Sequence, residues 1–121
     1  MQRLLTAIAF AVFGLALAGG ALAHARLIVA TPRGGSTVTA PRQLKLTYSE
    51  SIVPNASQVL VTGPGGTAIS SGPLTINGAN KRIVTVPFTA KLGGGAYRVT
   101  WHMTSEDGHE TDGDFTFLVK P

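Results

Sequence analysis

The residues of this chain that could carry chemistry are concentrated near its C-terminal end. The segment "SEDGHETDGD", residues 105–114, contains five of the six acidic residues and one of the three histidines. Asp107 and His109 lie two positions apart, and alternate residues of an extended chain face the same side. A carboxylate oxygen and an imidazole nitrogen could therefore face one metal ion. An exposed hairpin loop built on Asp-Gly explains the same residues without a metal.

Two ligands form a weak metal site, and a second source of donors lies near the N-terminus. His24 follows the small-residue patch that ends at Ala23. If the chain is cleaved after Ala23, His24 supplies both a free amine and a ring nitrogen to one metal ion. Three nitrogens and one carboxylate oxygen in a tetragonal arrangement suit Cu(II), which also ranks highest in the affinity order of the divalent metals.

Residues 1–23 have the three-part plan of a secretory signal peptide. Arg3 is followed by an apolar run from Leu4 to Leu17 and then by the patch "AGGALA". The apolar run is shorter than the roughly 20 residues that a membrane-spanning helix requires. We therefore predict that the protein is exported and that it is not embedded in the membrane after cleavage.

Two cleavage positions satisfy the preference of leader peptidase for small residues. Ala21 with Ala23 places the cut before His24, and Ala23 with Ala25 places it before Arg26. The first cut makes His24 the first residue of the exported protein, whereas the second removes it. The leader sequence alone leaves both possibilities open.

The composition of residues 24–121 excludes several classes of function. This length suits one small domain with a modest core. Nine basic and six acidic residues give it a net charge of +3 with neutral histidines. The basic residues are scattered, so no nucleic-acid surface is expected. The chain has no cysteine, which excludes disulfides, thiolate ligands and a cysteine nucleophile. The motifs of serine hydrolases and phosphate-binding loops are also missing, and no catalytic residue is predicted.

The apolar residues after residue 23 alternate with a period of two between glycine-rich turns, which predicts an all-β domain. Strands are expected at 25–30, 43–49, 57–63, 82–87, 96–104 and 113–119, with a weaker candidate at 67–71. About seven short strands in a domain of this size indicate an immunoglobulin-like β-sandwich or a Greek-key β-barrel.

The segment "AYRVTWHMT" shows the alternation most clearly. One face carries Tyr97, Val99, Trp101 and Met103, and the other carries Arg98, Thr100, His102 and Thr104. Phe115, Phe117 and Val119 alternate in the same way and are expected to face inward. His102 falls on the polar face, so we expect a solvated side chain there rather than a metal ligand.

Three segments resemble the CopC family of periplasmic copper-binding proteins, which are small Greek-key β-barrels. They are "HARLIVATPRGGSTVTAP", "LKLTYSESI" and "YRVTWHMTSEDGHETDGDFTFLV". In that family a mature N-terminal histidine binds Cu(II) together with the aspartate and histidine of an Asp-Gly-His segment. The resemblance implies one Cu(II) ion held by His24, Asp107 and His109, and cleavage after Ala23. Glu50 matches an acid that lies near the copper in some relatives, so the resemblance implies a group that supports the site there rather than a ligand.

The same resemblance implies a monomeric periplasmic domain over residues 24–121 and a role in copper resistance, sequestration or delivery. It also implies that an inner-membrane copper transporter could receive the ion, and it implies no enzymatic activity. Some family members bind Cu(I) through a methionine-rich segment, since soft thioethers select the monovalent ion. Met103 is the only methionine after the leader and is expected to face inward, so the chain resembles the branch with a Cu(II) site alone.

Two other classes of function fit some of these residues. Lytic polysaccharide monooxygenases also bind copper through an N-terminal histidine and a second histidine. They are much larger domains with a broad substrate face, and the inward position of Trp101 argues against this enzyme class. A metal-free structural β-sandwich would result if cleavage removed His24. The metal content of the exported protein distinguishes copper binding from a purely structural role.

Overall fold

A computed structural model describes residues 24–121, and the predicted signal peptide, residues 1–23, lies outside the described residues. Within residues 24–121, eight β-strands alternate with loops and two single 3-10 turns. The strands are β1 (Leu27–Thr31), β2 (Thr37–Val38), β3 (Gln43–Tyr48), β4 (Gln58–Thr62), β5 (Thr75–Ile76), β6 (Ile83–Pro87), β7 (Gly95–Thr104) and β8 (Glu110–Val119). In this part of the chain no helix is long and apolar enough to span a membrane.

The strands form two four-stranded sheets that enclose one core. The order in one sheet is β1-β3-β6-β5, and in the other it is β2-β8-β7-β4. Only β2 pairs in parallel, with β8, and the other strand pairs are antiparallel. The fold is therefore an all-β sandwich, as the alternating pattern predicts.

Six of the predicted strands are present, with shifted ends, but the weaker prediction at 67–71 is wrong. That region forms only two isolated bridges, from Ala68 to Thr62 and from Ser71 to Phe88. The short strands β2 and β5 were not predicted, because two residues are too few to show a period. The final strand begins at Glu110 rather than at residue 113, so the turn before it is shorter than expected.

The core confirms the faces predicted for β7 and β8. The inward side chains of β7 are buried, and Tyr97 stacks on Phe117 of β8 with ring centroids 5.6 Å apart. Trp101 meets Tyr48 of β3 edge to face at 5.2 Å, which joins the two sheets. The Tyr48 hydroxyl has no hydrogen-bond partner within the described chain, and burial raises the pKa of Tyr48.

The prediction that Thr104 lies on the exposed face of β7 is wrong. The 3-10 turn Pro54–Ala56 covers this end of the strand, and Thr104 is buried. Its hydroxyl donates to the Ala56 carbonyl at 2.7 Å, and its backbone N–H donates to Ser57 Oγ at 3.0 Å. A buried polar residue is tolerated here because both groups have partners.

Gly113 of β8 is required by the ring of Trp101, its partner across the strand pair. A Cβ atom at residue 113 would overlap the six-membered ring of that indole. We expect Gly113→Ala to lower the free energy of unfolding by about 1–3 kcal/mol, because overpacking forces the ring or the backbone to shift. Urea unfolding measures this change. Gly78→Ala is the matched control, since a Cβ there meets nothing within 4 Å. Equal stability of the two variants would contradict the close packing.

Candidate metal centre

The turn between β7 and β8 brings a carboxylate and an imidazole together. Asp107 Oδ2 lies 3.1 Å from His109 Nδ1. The chain reverses direction at Gly108, whose φ of +87° favours glycine, and the Gly108 N–H donates to the Ser105 carbonyl at 2.9 Å. Asp107 and His109 are therefore close, as expected, but a tight turn causes this rather than the extended chain that we predicted.

Ser105 orients the carboxylate of Asp107. Ser105 is buried, and its hydroxyl donates to Asp107 Oδ1. The backbone N–H of His109 donates to the same oxygen at 3.2 Å. The Ser105 hydrogen bond, followed by that of His109, lowers the pKa of Asp107 below its usual range. The carboxylate therefore stays ionised into the acid range, as a metal ligand must be.

His24 lies beside this turn although it comes from the other end of the chain. The His24 and His109 rings meet edge to face, with centroids 4.9 Å apart and planes inclined by 69°. His24 is exposed, and the side chains of Asp107 and His109 are each almost half exposed. The three residues form one surface cluster centred on the His109 ring, hereafter the His24 cluster.

Side chains alone do not complete a metal site in this cluster. Across residues 24–121, no group of three or more histidine, aspartate or glutamate side chains is arranged to hold a metal ion. The donor set predicted from the sequence also includes the amine of His24, which is a backbone group. In the full-length chain this nitrogen is an amide linked to Ala23 and offers no ready lone pair. The donor set predicted from the sequence would therefore be complete only after cleavage before His24.

Only one of the five acids in residues 105–114 faces the His24 cluster. The other four pair elsewhere within the described structure: Glu106 with Lys81 at 3.4 Å, Asp114 with Arg98 at 2.8 Å, and Asp112 and Glu110 with His102 at 2.6 and 3.6 Å. The concentration of acids in the sequence thus overstates the number of available ligands. Met103 is fully buried, as predicted, so its thioether is not offered to a surface ion.

Two hydroxyl residues that the sequence analysis did not single out hold the backbone next to His24. Thr111 Oγ1 donates to the Ala25 carbonyl at 2.9 Å, and Ser49 Oγ accepts from the Arg26 N–H at 2.8 Å. Thr111 shares the inward face of β8 with Phe115. A polar residue in that otherwise apolar row could have indicated in the sequence that Thr111 makes a specific contact. Glu50, which was expected near the copper, makes no hydrogen bond or ion pair within the described residues.

Comparison with known proteins points to a single family. The model of the CopC domain matches residues 27–120. Protein YobA of Escherichia coli K12 is 37% identical over 99 residues, which cover 81% of this chain and 80% of YobA. Copper resistance protein C of Escherichia coli is 31% identical over 112 residues, covering 88% of this chain and 89% of that protein.

A solved structure agrees with these sequence matches. PcoC, a methionine-rich copper resistance protein from Escherichia coli, superimposes with a TM-score of 0.73 at 28% identity. The match covers 80% of this chain and 99% of PcoC. The sequence matches and the structural match therefore both include copper resistance proteins.

His102 lies outside the His24 cluster, on the outward face of β7, and the pKa of its ring tests the ion pairs on that face. The hydrogen bond to Asp112, with a further contribution from Glu110, raises the pKa of His102 above 6.5. A raised folded-state pKa stabilises the fold below the unfolded-state value of about 6.5, and this contribution is lost as the pH rises through the folded-state pKa.

We expect Asp112→Asn to lower the pKa of His102 toward its ordinary value and to reduce this pH-dependent stability. An NMR titration of the His102 ring protons measures the pKa. Asp114→Asn is the control, because Asp114 pairs with Arg98 and should affect His102 much less. A wild-type pKa at or below 6.5 would contradict the ion pair.

Proposed function

The chain belongs to the CopC family, and we propose that it is an exported protein that binds one Cu(II) ion as its cargo. The proposed ligands are the amine and ring of His24, the carboxylate of Asp107 and the ring of His109. One observation carries the proposal: the His109 ring contacts both the His24 ring, at 4.9 Å between centroids, and Asp107 Oδ2, at 3.1 Å from Nδ1.

The chemistry of these donors supports a divalent ion over a monovalent one. The set contains nitrogens and a carboxylate oxygen, which suit Cu(II), and the one thioether of the described chain is buried in the core. The His24 amine carries a proton at neutral pH and must lose it to coordinate, so we expect copper binding to release a proton.

Burial of Ala25 supports cleavage after Ala23. Ala25 is only 1% exposed and belongs to the core, and its carbonyl accepts the Thr111 hydrogen bond. Cleavage after Ala25 would remove this packed residue together with His24. Cleavage after Ala23 leaves it in place and frees the His24 amine. The proposed mature domain is therefore residues 24–121.

The proposed role is non-enzymatic handling of copper in the periplasm, by sequestration or delivery. This role is supported by relatives that are named copper resistance proteins and that match this chain over nearly their whole length. Exposure of the His24 cluster suits an ion that must be passed on, since a partner can approach the ligands directly. We propose an inner-membrane copper transporter as the recipient and a monomer as the working form.

Replacing His109 or Asp107 by alanine tests the ligand set. We expect each change to weaken Cu(II) binding by about 100-fold or more, since loss of a group that only supports a ligand already costs about 10- to 100-fold. A competition titration against a chromophoric chelator measures the affinity. The unfolding midpoint of the apoprotein should change little, because both residues lie in an exposed turn.

His102→Ala is the matched control for this test, because it removes a histidine outside the His24 cluster. Its Cu(II) affinity should equal that of the wild type. Wild-type affinity in both His109→Ala and Asp107→Ala would overturn the proposed site.

A single additional residue ahead of His24 isolates the amine. Protein that begins at His24 is compared with protein that carries one alanine before it. The added residue converts the amine into an amide, so we expect Cu(II) affinity to fall by orders of magnitude while the fold is unchanged. In the shorter form alone, affinity should rise as the pH approaches about 7.7–8.0, the ordinary pKa range of an α-amine. Equal affinity of the two forms would exclude ligation by the amine.

A further inference from the structure

The backbone after His24 is held more firmly than the first residues of an exported domain usually are. Terminal residues are commonly mobile unless specific contacts tie them down. Here Ala25 is buried, and Thr111 Oγ1 donates to its carbonyl at 2.9 Å. The Ser49 N–H donates to the Arg26 carbonyl at 2.9 Å, and Ser49 Oγ accepts from the Arg26 N–H at 2.8 Å. Residues 25 and 26 are thus attached to both sheets.

Thr111 lies where it can connect the two parts of the proposed site, which are His24 and the turn that carries Asp107 and His109. It is the second residue of β8 and follows His109 by two positions. Its hydrogen bond reaches the carbonyl of the residue next to His24. The start of β8 therefore follows directly after one proposed ligand, His109, and also holds the backbone next to another, His24.

We infer that Thr111, assisted by Ser49, is a positioning residue that holds the mature N-terminus in place for copper binding. This inference rests on the proposed function. Because Ala25 and Arg26 are already fixed, the His24 ring meets the His109 ring without the cost of ordering a free terminus. The affinity of the proposed site then depends on two hydroxyl groups that are not among its ligands.

The expected size of the effect follows from chain entropy. Loss of the Thr111 hydrogen bond frees about one backbone residue next to the ligand, and ordering that residue again corresponds to about 5- to 30-fold in binding. Thr111→Val keeps a branched side chain of similar shape and removes the donor. We expect this variant, in protein that begins at His24, to bind Cu(II) about 5- to 30-fold more weakly.

Three further variants separate the hydroxyl from general stability. Thr111→Ser retains a hydroxyl and should restore wild-type affinity. Thr116→Val changes an exposed threonine of the same strand and should leave affinity unchanged. Ser49→Ala removes the other contact from a different loop, so it tests the same positioning even if Thr111→Val folds poorly. Unfolding of each apoprotein is measured alongside.

A double-mutant cycle with a background that lacks both donors of residue 24 decides whether Thr111 acts through that residue. The background is His24→Ala with one alanine added before it, because His24→Ala alone keeps the terminal amine. We expect Thr111→Val to weaken Cu(II) binding in protein that begins at His24 and to have less than about a twofold effect in this background, because coupled residues are not additive. Equal weakening in both backgrounds would overturn the positioning role, and so would wild-type affinity in both Thr111→Val and Ser49→Ala. Unchanged affinity in the background variant alone would instead overturn the proposed function, whatever Thr111 does.

Discussion

The long antiparallel pairing of β7 with β8 fixes the positions of both the core side chains and the turn that carries Asp107 and His109. It runs without interruption from Gly95 opposite Val119 to Thr104 opposite Glu110. Alternation along both strands sends one set of side chains into the core, and a shift of one residue would turn that set toward solvent. The same register fixes where the strands end. It therefore places the turn that carries Asp107 and His109 at one defined edge of the sandwich.

The N-terminal segment completes that edge because a polar position interrupts the inward row of β8. Thr111 and Gly113 stand where further large apolar residues would otherwise continue the core. Gly113 leaves space for the Trp101 ring, and Thr111 offers a hydroxyl to the Ala25 carbonyl. Packing and hydrogen bonding at this edge thus close the core, and they also bring His24 against the His109 ring.

Most acidic side chains in this part of the molecule pair with a basic or histidine side chain, so they do not form one acidic patch. On the outward face of β7 and β8, His102 pairs with Asp112 directly opposite it, and Arg98 reaches Asp114 diagonally across the strands. These pairs are exposed and contribute modestly to stability. Their larger consequence is that Asp107, oriented by Ser105, is the acid that remains directed at His109. The His24 cluster contains a single acid because the neighbouring acids already have partners.

Local patterns were enough to predict the all-β class, the inward faces of β7 and β8, and the candidate donors at His24, Asp107 and His109, because period and residue chemistry are local properties. It misjudged Thr104 and residues 67–71, where the pairing and covering segments come from elsewhere in the chain. The fold was needed to show which acid faces His109, because the other four acids of that segment pair with side chains of other elements. It was also needed to show that Ser49 and Thr111 hold the backbone beside His24. These two contacts join residues far apart in the chain, so the polar position of Thr111 in β8 could mark that residue but could not identify its partner.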